Sequence, residues 1–284
     1  MGVVGPFAAS RAHQLVASDG AHQTTLLTGQ SVSDSVTTLA LILGLIVVFG
    51  ALVGRIVDRR EGLLNIGFVL GWIAWTSGRL GEVYRISPEP GTLMRLSIES
   101  LLIGGGVLLA MMLMTNPKKG TGLGHDDEIS RFDLAYILGS FRTKSGLVAV
   151  AAAAVSAMVV AFLFGRTDLA GQSVGVGFIG GILGGVVGTL ASGSVRGEDE
   201  KNEPTPFAPI IIGVLAAGVL GPMIGLIFPG ASKLEGLVLS GGIPGFLIVS
   251  PSAWAVGALI GVPVGHSWVE HSAAQASGAQ AKPA

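Results

Sequence analysis

Seven long stretches of the chain, residues 35–54, 62–84, 94–115, 145–165, 172–194, 207–228 and 235–262, are dominated by apolar residues and nearly free of charge. A helix of about 20 such residues crosses a bilayer core about 30 Å thick. Lipid offers no partner to backbone amides, so a spanning segment of this composition has to satisfy them within a helix. The sequence therefore predicts an all-α polytopic membrane protein of about seven transmembrane helices. Composition agrees: half of the residues are hydrophobic and 12% are charged, where soluble domains carry about a quarter. The second stretch is the least clean, because Arg79, Glu82 and Arg85 close it. The seventh is too long for one crossing and contains Pro244 and Pro251. We read it as one span interrupted by Pro251, with two short crossings (236–249 and 252–265) or a re-entrant hairpin as alternatives.

Lysine and arginine set the expected orientation, since cytoplasmic loops are enriched in them. With the N-terminus outside, eleven of the basic residues fall on the inner side and five on the outer, with Arg79 inside the second stretch. The expectation is a multi-pass protein of a cell inner membrane, N-terminus outside and C-terminus cytoplasmic. Residues 1–34 read as a polar N-terminal segment without the basic and continuous apolar regions of a cleaved signal. Residues 35–115 form a three-helix membrane unit and 145–265 a glycine-rich four-helix unit, with 266–284 a flexible tail. Between the two units, the loop 116–144 spaces Ile129, Phe132 and Tyr136 at helical intervals, with acids before them and Arg142 after. That pattern is an amphipathic interfacial helix.

Within 172–194 the run GVGFIGGILGGVVG contains Gly175-x-Gly177-x-x-Gly180, the spacing of a dinucleotide loop. A nucleotide site needs a buried strand before the first glycine and a soluble helix after it. The preceding GRTDLAGQS is polar and turn-like, and the following helix has no polar face. Close helix packing is the better reading: Gly177, Gly181 and Gly185 recur every four residues, as do Gly213, Ala217, Gly221 and Gly225, and then Ala253, Gly257, Gly261 and Gly265. Such stripes mate with one another or with a second copy of the chain, and the sequence leaves that choice open. Expected partners are thus the lipid bilayer and either a homo-oligomer or other membrane subunits.

Charges inside spans are expensive and are functional candidates by default. The strongest group is Arg79, Glu82, Arg95 and Glu99, at the facing ends of the second and third spans. It reads either as an ion-pair network fixing the hairpin, with Glu82 or Glu99 pairing to Arg79, or as an ion, proton or substrate site, with Glu99 as the coupling residue. HSWVEH (His266, Glu270, His271) has the residue types of a metal motif but not its spacing, and HDDE (125–128) reads as a helix cap. No metal or cofactor is expected, no catalytic constellation is visible, and the near-neutral net charge leaves no nucleic-acid footprint. Two functions fit: a small transporter or channel-like permease using Gly/Pro-broken helices, or a non-catalytic integral subunit of a larger membrane complex.

Overall fold

The computed structural model describes residues 4–15, 25–28, 31–77, 79–114, 138–167, 169–197 and 207–280, and among these there is no β-strand. Five helices are long and apolar enough to cross a membrane: α2 (Val32–Ile56), α5 (Pro90–Leu113), α6 (Lys144–Phe164), α7 (Ala170–Ser194) and α8 (Phe207–Gly225), whose apolar run continues to Phe228. Several apolar helices of this kind are those of a multi-pass integral membrane protein. Around them stand α1 (Val4–His13), α3 (Arg59–Thr76), α4 (Leu80–Ile86), α9 (Ala231–Ser240), and a last helix made of α10 (Pro251–Val256) and α11 (Val262–Gln280).

The surface of the bundle is oily, while the buried face of α7 is made almost entirely of small residues. Leu101, Val155 and Leu190 are more than half exposed. On α7, the buried positions are six glycines, Ser173, Thr189, Ser192 and Val176. A soluble protein reverses this order, and lipid as the solvent explains it.

Contacts fix the relative directions of the helices. Gly180, Gly184 and Gly188 of α7 lie on Ala157, Ala153 and Ala149 of α6, so that pair is antiparallel. Gly184 and Gly188 also meet Val214 and Ile210 of α8, so α8 runs antiparallel to α7 and therefore parallel to α6. Ser97 of α5 donates to the Val219 carbonyl of α8 at 3.3 Å, and Gly104 faces Leu215, an antiparallel pairing. Gly67 and Gly71 of α3 face Ile260 and Val256, so α3 runs against the last helix.

Two predicted spans are redrawn. The stretch 62–84 is broken: α3 ends at Thr76, and Ser77 adopts extended geometry (φ −69°, ψ 157°). The hydroxyls of Thr76 and Ser77 bond back to the Trp72 and Ala74 carbonyls at 2.7 and 2.8 Å, replacing the donors that a further helical turn would supply. The final stretch breaks before Pro251, not at it. α8, with Pro222 inside it, passes through a π turn at Leu226–Gly230 with an extended Phe228 into α9, and Gly241 at φ +69° stops the helix. An irregular segment follows, with a 3-10 turn at Gly245–Leu247.

Pro251 then occupies the first helical turn, where its missing N–H costs nothing, with Ser250 as N-cap. From there the helix runs through a π turn at Gly257–Gly261, keeping helical angles, to Gln280. The expected flexible tail is thus helical over 266–280. At the other end of the chain, the segment expected to be merely polar contains α1, whose Gly5 lies against Trp72 of α3. The amphipathic helix expected around Ile129, Phe132 and Tyr136 falls outside the described residues.

Irregular backbone survives inside such a bundle only where side chains meet its polar groups. The Tyr84 hydroxyl, fully buried, donates to the Leu247 carbonyl at 2.8 Å. The Ser250 N–H donates to Ser173 Oγ at 2.9 Å. At the opposite end, Arg55 and Arg59 donate through Nε to the Leu113 and Met114 carbonyls, at 2.6 and 3.3 Å, closing the C-terminus of α5.

Candidate functional site

Helix α5 begins with Pro90 in its first turn, and the Thr92 hydroxyl ties it to the Ser87 carbonyl at 2.7 Å. Two turns further on, Glu99 faces inward and is 2% exposed. Its Oε2 accepts the Leu27 N–H at 2.9 Å. The Leu26 N–H and the Thr25 hydroxyl bond the same carboxylate. These three donors belong to the short described segment 25–28, which folds against the bundle with Thr25 and Leu26 buried. Thr25 and Thr28 hold that segment in shape through a 2.6 Å contact between their hydroxyls. A carboxylate has about four acceptor positions, so the segment fills most of them with uncharged donors.

The other charged candidates stand apart from this cradle. Arg79 is the exposed N-cap of α4, and Glu82 is half-buried in that helix's first turn. Arg85 is exposed at its end, and Arg95 is exposed one turn before Glu99. The structure therefore turns Glu99 toward the N-terminal segment and not toward Arg79. Thr25, Leu26 and Leu27 were not among the sequence candidates. Two of them act through backbone amides, which leave no side-chain signature to find.

The glycines of α7 bring backbone onto backbone. A Cβ on Gly177 would meet the Ala253 carbonyl, one on Gly181 the Gly257 carbonyl, and one on Gly185 the Val262 carbonyl at 2.6 Å. From the other side, Gly257 and Gly261 lie on the carbonyls of Gly177 and Phe178. A Cβ on Gly213 would lie 2.5 Å from the Val150 carbonyl, one on Gly221 2.9 Å from that of Phe246, and one on Gly225 2.7 Å from the Leu247 side chain. These faces are all occupied within one chain. No known protein family matches the sequence, and no curated protein or solved structure is similar to it.

A second polar group lies at the far end of the α7 contact. His266 is buried; its Nδ1 is 2.8 Å from Thr189 Oγ1 and its Nε2 is 3.0 Å from Glu270 Oε1. The Phe207 ring is tilted against the imidazole, with centroids 5.3 Å apart. Thr189 escaped the sequence reading because it is adjacent to His266 only once the glycines let α7 and the last helix touch. Among the described residues, no three histidine, aspartate or glutamate side chains are grouped as a metal site.

Proposed function

We propose that the chain is a small channel-like permease that crosses the bilayer seven times and conducts protons through Glu99. The alternating directions of α2, α3, α5, α6, α7, α8 and the last helix support seven crossings, with α3 and the last helix added to the five clear spans. One observation carries the functional part. A carboxylate inside a spanning helix is held by two amides and a hydroxyl of a separate segment, with no cation among those ligands. A charge at membrane depth costs at least about 2.5–3.5 kcal/mol, so a group serving only to pin a hairpin would be expected to sit opposite an arginine. A carboxylate held only by neutral donors is suited instead to taking up and releasing a proton.

The test uses the purified full chain in sealed vesicles containing a pH-sensitive dye, with a potassium diffusion potential as the driving force. The expected result is proton entry faster than in protein-free vesicles and its loss in Glu99→Gln. Equal flux in wild type and Glu99→Gln, or wild-type flux no greater than in empty vesicles, contradicts the proposal.

A further inference from the structure

We infer that His266 is a proton-binding site, in which the imidazole carries its second proton clamped between Thr189 and Glu270. The hydrogens around the ring decide its charge, and Glu99 has no part in them. Thr189 Oγ1 lies 2.6 Å from the Gly185 carbonyl oxygen. A carbonyl has no hydrogen to give, so a contact that short requires the threonine hydroxyl hydrogen between the two oxygens. The same Oγ1 is 2.8 Å from His266 Nδ1. With the hydroxyl hydrogen already committed, the hydrogen in this second contact has to come from Nδ1.

On the opposite side of the ring, Nε2 lies 3.0 Å from Glu270 Oε1, and the glutamate side chain is 43% exposed. A carboxyl group with that access to water is ionised at neutral pH and only accepts. Nε2 therefore also carries a hydrogen. An imidazole with hydrogens on both nitrogens is the imidazolium cation, and one cation satisfies all three contacts. The neutral ring satisfies only part of them: without the Nδ1 hydrogen it takes the threonine hydroxyl away from Gly185, and without the Nε2 hydrogen it sets a lone pair against the carboxylate.

From α7 the imidazole meets the Thr189 hydroxyl, with Ser192 buried one turn on and Arg196 two turns on, past the helix end. α8 supplies Phe207 and has no charged residue along its length. On its own helix the neighbours are Glu270 and the exposed His271, whose Nδ1 lies 2.8 Å from the Ser267 carbonyl. The bound proton thus ties the last helix to α7 just beyond the Gly185 and Gly265 approach, where the two backbones are in contact.

The deciding experiment is ring-nitrogen NMR on the full chain in detergent, with histidine labelled uniformly with ¹⁵N and His266 identified by its loss in His266→Gln. The expected result at about pH 7.5 is a His266 signal with both nitrogens protonated. In Glu270→Gln, which keeps the fold and the assignment, proton binding at His266 should weaken by on the order of tenfold. A singly protonated His266 at that pH, or a titration midpoint unmoved by Glu270→Gln, overturns the inference. Should His266→Gln fail to fold, the other four histidines are replaced one at a time, His266 is the signal that none of these variants removes, and the same two results decide.

Discussion

Gly181 and Gly257 meet backbone to backbone: a methyl group on Gly181 would fall on the Gly257 carbonyl, and one on Gly257 would fall on the carbonyl of Gly177. Neither obstacle is the far end of a side chain that could swing away, so accommodating a methyl means moving a helix. Overpacking of this kind costs about 1–3 kcal/mol or more. Gly181→Ala should therefore melt well below wild type in detergent. Gly44→Ala, on α2 with nothing within 4 Å of the added carbon, should melt at the wild-type temperature or slightly above it. Equal melting of the two variants would mean that the α7 contact is not tight.

Tyr84 is expected to secure the irregular segment that leads into the last helix. Tyr84→Phe leaves the Leu247 carbonyl without its donor, a loss of about 1–3 kcal/mol for a buried group. Limited proteolysis checks the location of the effect: cleavage should speed up within 241–250 and stay unchanged elsewhere.

Arg55 and Arg59 close the last turn of α5 from two different helices. Arg55 is exposed and Arg59 half-buried, so each replacement by methionine should cost only about 1 kcal/mol by itself. Because both arginines serve the same helix end, the double variant should lose a different amount from the sum of the two singles. A double-mutant cycle on melting in detergent measures that coupling.

Leu27→Pro removes an amide donor to Glu99 without touching the carboxylate. The expected outcome is faster reaction of Glu99 with a membrane-permeant carbodiimide, read by mass spectrometry of the α5 peptide. Thr25→Val should act in the same direction and less strongly, because both amides remain. Unchanged labelling in both variants would show that the segment 25–28 does not cover Glu99.

The periodicity and length of the apolar runs made most of the bundle legible. The expected spans 35–54, 94–115, 145–165, 172–194 and 207–228 each lie within a few residues of a helix. Hydropathy failed where tertiary partners decide. In 62–84, back-bonding hydroxyls end α3 early, and in 235–262 the apolar residues 241–250 are irregular because Tyr84 and Ser173 satisfy their backbone. Pro251 looked like an interruption and is a helix start, a distinction that depends on what precedes it. Glu99 was visible as a charge in an oily helix, but the amides that hold it have no residue type to betray them. Thr189 and His266, 77 positions apart in the chain, become neighbours only through the packing of α7 on the last helix.

The proposed permease threads the bilayer with alternating helices. Because it contains no cysteine, single cysteines report on topology without background. Glu89→Cys and Arg166→Cys lie at one end of the bundle, and Asp58→Cys and Gly197→Cys at the other, all four at exposed positions. With a membrane-impermeant maleimide applied to intact cells and then to inverted vesicles, each pair should label from one side only, and the two pairs from opposite sides. Labelling of Glu89→Cys and Gly197→Cys from the same side would contradict it.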